Sequence, residues 1–177
     1  MSLAVPVSKE DHKRGNPRAQ VTLLEYGDYE CGHCGMAHPI VGQVIKHFGP
    51  RLCFVFRHFP LTQIHPNAER AAEAAEFAHA HRRFWDMHDA IYENQQRLSM
   101  PLLLALARSL GLSDMSLGYA IANGEYADKI NRDFLGGVRS GVNGTPTFFI
   151  GNQRYDGGFD FHTLVAAIES QLEKTLH

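Results

Sequence analysis

Two cysteines separated by two residues, Cys31-Gly32-His33-Cys34, are the residues best suited to chemistry. An apolar, β-prone stretch precedes them and a helical pattern follows, which places Cys31 at a strand-to-helix junction. The first turn of a helix has unpaired N–H groups and a partial positive charge, and both stabilise a thiolate. Because the thiolate is the nucleophile of disulfide exchange, this position favours redox chemistry at Cys31, and Cys34 could resolve a mixed disulfide. A protonated His33 would add positive charge beside the sulfur.

Two other uses of this cysteine pair are open. A structural zinc site needs four ligands, usually from two such pairs, and the chain has one pair plus Cys53. A static disulfide would close a very short loop, and a short loop gains little stability from cross-linking. Both are weaker interpretations than exchange. Cys53 lies in an apolar strand pattern and is interpreted as an inert buried cysteine.

Two features far from the cysteines support exchange. Glu25 interrupts an apolar strand six residues before Cys31. If buried, its carboxyl would have a raised pKa suited to moving a proton to or from Cys34, whereas an outward-pointing side chain would have no such role. The second feature is Thr145-Pro146 before a short apolar strand. A proline at a strand entry can be cis and direct a free backbone edge at a partner, and we predict that the Thr145–Pro146 bond is cis.

The elements that must hold these residues alternate in type along the chain. Apolar β-prone runs predict strands at residues 21–26, 52–59, 147–150 and 153–156. The cysteine pair begins a helix that Gly49-Pro50 ends, and Asp160 is a good N-cap for a last helix. From Asn67 to about Ser140, apolar residues recur at helical spacing, with Tyr126, Ile130, Phe134 and Val138 marking the last long helix of this region. The pattern predicts an α/β fold with a helical insertion after its second core strand.

Composition and charge exclude several classes of protein. The 177-residue chain is 44% hydrophobic and 20% charged, which is typical of a globular protein, and its net charge is −2. Without a basic stripe, nucleic acid is a poor candidate for a partner. No apolar run is long enough to predict a membrane span. Residues 1–11 lack the pattern of a signal peptide, which predicts a cytoplasmic location as the sequence stands and a periplasmic one if a signal peptide has been removed.

Together these motifs resemble the thioredoxin superfamily and, through the long helical insertion, its DsbA-like branch. The resemblance extends to DsbA-like domains fused to sodium/proton antiporters of the NhaA type and covers about residues 11–175. Four segments carry it: EYGDYECGHCGMAHP, FVFRHFPL, AERAAEAAEFA and FWDMHDAIYE. It implies a thioredoxin-like domain formed by residues 1–62 and 141–177 and a helical insertion at 63–140.

The resemblance also implies roles for individual residues. Cys31 would be the exposed nucleophile, Cys34 the buried resolving thiol and Glu25 the buried acid. Pro146 would be the cis-proline beside the disulfide, and Thr145 would offer backbone hydrogen bonds to a bound peptide. The dipeptide Gly32-His33 resembles that of protein disulfide isomerase rather than the Pro-His of the DsbA type, so the direction of electron flow stays open.

The sequence therefore predicts a protein thiol–disulfide oxidoreductase without a bound cofactor or metal site. It would exchange a Cys31–Cys34 disulfide or dithiol with extended protein substrates through a mixed disulfide on Cys31. Its partners would be cysteine-containing proteins and a thiol or disulfide redox partner, and its oligomeric state is left open. One alternative is a redox-sensing module that binds a peptide or partner without turnover, and a zinc-binding module is a weaker one. A metal site among the other histidines is not expected, because the spacing of His79, His81 and His88 does not direct them to one side of a helix.

Overall fold

A computed structural model describes residues 1–176 as an α/β fold around a five-stranded sheet. The strands are β1 (His12–Gly15), β2 (Val21–Gly27), β3 (Leu52–His58), β4 (Thr147–Ile150) and β5 (Gln153–Tyr155). The helices are α1 (Gly32–Phe48), α2 (Ala68–Ala80), α3 (Phe84–Glu93), α4 (Met100–Ser109), α5 (Asp114–Ala122), α6 (Ala127–Arg139) and α7 (Phe161–Thr175). Short 3₁₀ turns cover Gly49–Arg51 and Gln95–Arg97. The predicted α/β class and the helical insertion after the second core strand, β3, are confirmed.

The central unit of the sheet is a β2–α1–β3 crossover that delivers the cysteine pair to the end of β2. β2 and β3 are parallel, whereas β1, β4 and β5 add antiparallel neighbours in the order β1-β3-β2-β4-β5. β3 is buried along its whole length because both faces of the sheet are covered. Its alternating side chains divide the core in two: Phe54 and Phe56 pack on one face with α1 and the insertion, and Cys53 and Val55 pack on the other.

The edge strand β1 was not predicted. Its sequence, HKRG, has no apolar alternation, so its conformation depends on distant partners. It pairs antiparallel with β3, Trp85 Nε1 donates a hydrogen bond to the carbonyl of Lys13 at 2.9 Å, and Arg14 forms an ion pair with Asp89 at 2.6 Å. These contacts attach the N-terminal segment to helix α3.

Helices α2–α6 occupy the predicted insertion between β3 and β4. α2 packs closely on its neighbours through four alanines that are 0% exposed: Ala71, Ala74, Ala75 and Ala78. α6 confirms the predicted last long helix of this region, although Val138, one of the residues that marked it, is 49% exposed. α6 turns Gly136 and Gly137 toward the sheet, and a Cβ on Gly137 would lie 2.7 Å from the ring of Phe59. The division into a discontinuous domain and an insertion domain stays a prediction.

The boundaries of three predicted strands change by one residue, and β2 extends to Gly27, one residue beyond its predicted end. β3 ends at His58 and β5 at Tyr155, each one residue before the predicted end. Asp160 caps α7 as predicted, accepting a hydrogen bond from the N–H of Thr163 at 3.1 Å. Within residues 1–176, no helix has both the length and the apolar composition needed to cross a membrane.

Candidate redox-active site

The two cysteines lie where β2 turns into α1. Cys31 is the N-cap of α1, with extended backbone dihedrals, and its carbonyl accepts the helical hydrogen bond of the Gly35 N–H at 3.1 Å. Cys34 lies in the first turn of the helix and is completely buried. Both side chains are free thiols, and the predicted strand-to-helix position is confirmed.

Several hydrogen bonds favour a thiolate at Cys31. Its pKa is lowered to about 5, first by a hydrogen bond from the Cys34 thiol, against the opposing effect of burial. The backbone N–H groups of Cys34 and His33 lower it further. His33 thus contributes through its backbone, while its imidazole is exposed. Cys31 is 7% exposed, against 0% for Cys34, and it lines the cavity described below.

Cys34 and Glu25 have the opposite character. Burial raises the pKa of Cys34, and the nearby Cys31 and Glu25 raise it further. Glu25 on β2 is 3% exposed, so the outward-pointing alternative is wrong. Burial and then the charge of Cys31 raise the pKa of Glu25 to about 8. Its Oε1 is buried without a hydrogen-bond partner in the described part of the chain.

The loop before β4 closes the site from the other side. The Thr145–Pro146 bond is cis, as predicted. The Cys31 Sγ lies 3.4 Å from the carbonyl oxygen of Thr145 and donates a hydrogen bond to it when the thiol is protonated. Thr147 pairs with Tyr26 in the sheet, and its Oγ1 donates a hydrogen bond to the carbonyl of Gly144 at 2.7 Å, which holds the loop beside the end of β2. We call Glu25, Cys31, Cys34 and Thr145 the cysteine site.

A cavity of about 1140 Å³ opens beside Cys31. Its walls include Cys31, Thr145, Tyr92 and two strongly exposed apolar side chains, Met36 at 63% and Ile64 at 68%. The hydroxyl of Tyr92 and the Oγ1 of Thr145 are buried and have no hydrogen-bond partner among residues 1–176. The cavity thus places apolar surface next to Cys31, as a binding site for a peptide would.

Two polar residues that hold the cysteine loop were not predicted. Asp28 Oδ2 accepts hydrogen bonds from the N–H of Leu61 at 2.9 Å and from His65 Nδ1 at 2.7 Å. Gln95, in the 3₁₀ turn after α3, donates from Nε2 to the carbonyls of Tyr29 and Cys31. These partners are distant in sequence, and neither residue stands in a recognisable local pattern.

A second buried cluster, also not predicted, lies at the edge of the sheet. Glu76 Oε1 of α2 is 2.6 Å from His12 Nε2 and 2.8 Å from His58 Nε2. Burial opposes ionisation of Glu76, but hydrogen bonds from both histidines lower its pKa. These residues could bind a metal by type, yet their short contacts are those of hydrogen bonds. Burial lowers the pKa of His12, and the charges of His58 and Lys129 lower it further. We call His12, His58 and Glu76 the edge cluster.

The three histidines considered in the sequence do not come together at one site. His88 is buried, and its Nδ1 is 2.9 Å from the hydroxyl of Tyr29. The ring of His79 packs on His12 beside the edge cluster, and that of His81 packs on Phe77.

Comparison with known proteins identifies the family. The family model described as thioredoxin matches residues 7–170, most of the chain. The chain belongs to the thioredoxin family. This family member is 40% identical over 176 residues to the Na(+)/H(+) antiporter NhaA 1 of Salinispora arenicola, a match that covers 99% of the chain and 27% of the antiporter. The chain spans about a quarter of the length of the curated relatives it matches, and the predicted resemblance to domains of NhaA-type antiporters is confirmed.

Solved structures show that the fold is that of DsbA-type members of the thioredoxin family. Oxidised BdbD from Bacillus subtilis matches with a TM-score of 0.86 at 23% identity, covering 95% of this chain and 96% of that one. The α-DsbA1 of Wolbachia pipientis matches with a TM-score of 0.85 at 20% identity, covering 97% and 96%. The predicted thioredoxin fold with a DsbA-like insertion is therefore confirmed.

Proposed function

We propose that this thioredoxin-family protein is a thiol–disulfide oxidoreductase that reacts with extended protein substrates through a mixed disulfide on Cys31. The observation that carries the proposal is the asymmetry of the cysteine pair. Cys31 is accessible, with a pKa of about 5, whereas Cys34 is completely buried and its pKa is raised. One sulfur is thus an available nucleophile and a good leaving group, and the other is protected until a mixed disulfide has formed.

The exchange conserves atoms and electrons. In the oxidised protein, a substrate thiolate attacks Cys31 Sγ, the Cys31–Cys34 bond breaks, and Cys34 leaves as a thiolate. Glu25, whose pKa is raised to about 8, gives this sulfur a proton. A second substrate thiolate then attacks the substrate sulfur of the mixed disulfide and releases Cys31 as a thiolate. Two electrons pass from the substrate dithiol to the protein. In the opposite direction each step reverses, and Glu25 accepts the proton of Cys34.

The surroundings of Cys31 support a peptide as the substrate. The cavity beside it offers apolar contacts at the exposed side chains of Met36 and Ile64, and Thr145 is part of its wall. An extended segment could place its cysteine against Cys31 and pair its backbone with the Thr145 loop. A bound cofactor is not part of this chemistry, because the cysteines carry the electrons themselves.

The lowered pKa of Cys31 favours disulfide donation. A stabilised thiolate stabilises the reduced pair, and this makes the disulfide form a stronger oxidant. Such an activity requires an oxidising compartment and a disulfide partner that restores the Cys31–Cys34 bond.

A second candidate function is a redox sensor without turnover. It is favoured by the match of the chain to only 27% of an antiporter, in which a sensor domain could respond to redox conditions. The two functions differ in stoichiometry, since an enzyme converts many substrate equivalents in a glutathione redox buffer and a sensor reacts once. The probe would be reduced, unfolded ribonuclease A, with disulfide formation followed over time.

The role of Cys31 is tested by trapping. With ribonuclease A that carries scrambled disulfides, the Cys31 thiolate of Cys34→Ser should attack a disulfide of the probe, release one probe thiolate and accumulate as a disulfide-linked adduct, and Cys31→Ser should form none. In the same Cys34→Ser variant, thiolate absorbance should titrate well below the roughly 8.5 of a free cysteine, because serine also donates a hydrogen bond. An apparent pKa above about 8, or an adduct on Cys31→Ser, would refute the assignment of Cys31 as nucleophile.

A further inference from the structure

We propose that Gln95 is a positioning residue for disulfide exchange and fixes the backbone of Cys31 from the helical insertion. Its Nε2 donates hydrogen bonds to the carbonyl of Tyr29 at 2.9 Å and to that of Cys31 at 2.7 Å. These partners lie 66 and 64 positions away in the sequence. The inference rests on the proposed role of Cys31 as the nucleophile.

The two hydrogen bonds determine how the Cys31 carbonyl is held. This carbonyl accepts two hydrogen bonds, one from the Gly35 N–H within the helix at 3.1 Å and one from Gln95. A carbonyl oxygen has two lone pairs, so both are used and the peptide plane is fixed. The Cys31 backbone is thereby held at the N-terminus of α1, where the N–H groups of His33 and Cys34 lower the pKa of its thiol.

Gly35 leaves space for the Gln95 side chain. A Cβ on Gly35 would overlap with Gln95 Oε1 and lie 2.8 Å from its Cδ, and the three nearest atoms all belong to this side chain. Gly35 does not have a positive φ, so its conformation does not require glycine. The absence of a side chain at position 35 therefore serves the packing of Gln95 over the start of the helix.

The first test compares Gln95→Ala with Gln96→Ala. Gln96 is exposed, and its side chain makes no hydrogen bond in the described part of the chain, so it is a matched control. Gln95→Ala should lower the rate constant for attack of Cys31 on a disulfide-containing peptide by about ten- to a hundredfold, as expected for a misplaced reactive atom. It should also raise the thiolate pKa of Cys31, because the sulfur is less well held against the helix N–H groups. Gln96→Ala should leave the thiolate pKa unchanged, and because Gln96 lines the same cavity, its rate gives the baseline for the loss of a cavity side chain that holds no backbone group.

The rate and the thiolate pKa separate positioning from a purely structural role. If Gln95→Ala lowers the midpoint of urea unfolding but leaves both quantities equal to those of Gln96→Ala, the positioning role is refuted. Gln95→Glu should lower the rate at least as far as Gln95→Ala, since a carboxylate cannot donate to the two carbonyls. A Gln95→Glu variant with the wild-type rate would also refute it.

A second route displaces Gln95 without changing it. Gly35→Ala should expel the side chain from its site and lower the rate to a similar extent. In the double variant the two losses should not multiply, because both act on the same pair of hydrogen bonds. Losses that multiply in full would show that Gly35 and Gln95 act independently and would overturn the proposal.

Failure of this inference can be distinguished from failure of the proposed function. If Cys31→Ser is inactive while Gln95→Ala reacts like Gln96→Ala, only the positioning role is refuted. If Cys31→Ser still exchanges with the peptide, Cys31 is not the nucleophile and both proposals are refuted.

Discussion

The edge cluster and the cysteine site both contain buried titratable side chains, but these side chains differ in whether their polar atoms have hydrogen-bond partners. In the edge cluster, one carboxylate oxygen of Glu76 accepts hydrogen bonds from His12 and His58. At the cysteine site and its cavity, Glu25, Tyr92 and Thr145 each keep a buried oxygen without a partner in the described chain. Among the side chains of the edge cluster, only the Nδ1 of His58 has no hydrogen-bond partner within residues 1–176.

The difference indicates what each region contributes. A buried carboxylate paired with two donors stabilises the fold, and removing it leaves uncompensated polar groups. A buried carboxyl without a partner destabilises the fold but keeps a raised pKa and can transfer a proton. The edge cluster therefore stabilises the attachment of the insertion to the sheet. At the cysteine site, the unpaired carboxyl of Glu25 lowers the stability of the fold but has a raised pKa.

The largest expected effect is on the edge cluster. Glu76→Leu should lower the free energy of unfolding by about 3–5 kcal/mol, because two buried histidines lose their carboxylate. The thiolate pKa of Cys31 should stay at its wild-type value. Urea unfolding and thiolate absorbance measure the two quantities.

Glu73→Leu is the matched control on the same helix. Glu73 is 5% exposed, against 3% for Glu76, but burial raises its pKa to about 7. It forms no ion pair in the part of the chain described, so its replacement should keep or increase stability at pH 8. Equal losses in the two variants would remove the distinction between paired and unpaired buried carboxyls.

The next effect concerns the pH dependence of stability in the reduced protein. The pKa of Glu25 is raised from 4.5 to about 8, so the folded state holds this proton more tightly and its contribution to stability falls between about pH 4.5 and 8. The pKa of Cys31 is lowered from 9.0 to about 5, so its contribution rises between about pH 5 and 9. The two slopes oppose each other between about pH 5 and 8.

Glu25→Gln should reveal the Cys31 slope. Between pH 5 and 8 the free energy of unfolding of the reduced variant should rise with pH more steeply than that of the reduced wild type, by up to about 1.4 kcal/mol per unit, because the opposing slope of Glu25 is lost. Urea unfolding at several pH values tests this. In the oxidised variant, where neither residue titrates, the rise should disappear. A reduced variant with the wild-type pH profile would contradict the opposing roles.

The smallest effect is on the reduction potential. His33→Pro should lower it by tens of millivolts, where about 30 mV corresponds to 1.4 kcal/mol, because proline lacks the N–H that favours the thiolate of Cys31. Equilibration with glutathione measures the potential. His33→Ala keeps this N–H and should shift the potential less. Equal shifts in both variants would assign the effect to the imidazole, and a higher potential in His33→Pro would contradict it altogether.

Local signals explain what could be predicted from the sequence. The spacing of Cys31 and Cys34, the apolar run around Glu25 and the proline at position 146 lie next to the elements that place them, so their positions followed from strand and helix patterns. Gln95 contacts Tyr29 and Cys31, and Glu76 contacts His12. In each pair the two residues are 64 or more positions apart in the sequence. Such contacts depend on how the insertion packs on the sheet, which no local pattern records.

The dependence on distant partners also explains why β1 was not predicted and why Val138 of α6 is exposed. β1 is a polar strand whose partners are Phe56 and its neighbours on β3, so no alternation marks it. Val138 belongs to the apolar spacing that predicted helix α6. Gly136 and Gly137, rather than Val138, face the sheet, and they allow the helix to approach it more closely than larger residues would. The close packing of α6 on the sheet through these glycines therefore leaves Val138 exposed.

The division of the core by the sheet also restricts which disulfides the chain can form. Three cysteines can pair in three ways in an unfolded chain. Cys53 packs in the core on one face of the sheet, and Cys31 and Cys34 pack in the core on the other. Burial also raises the pKa of Cys53, which keeps it protonated and unreactive. The proposed exchange at Cys31 and Cys34 could therefore repeat without a disulfide to Cys53, because in the folded protein the sheet separates this third thiol from the pair.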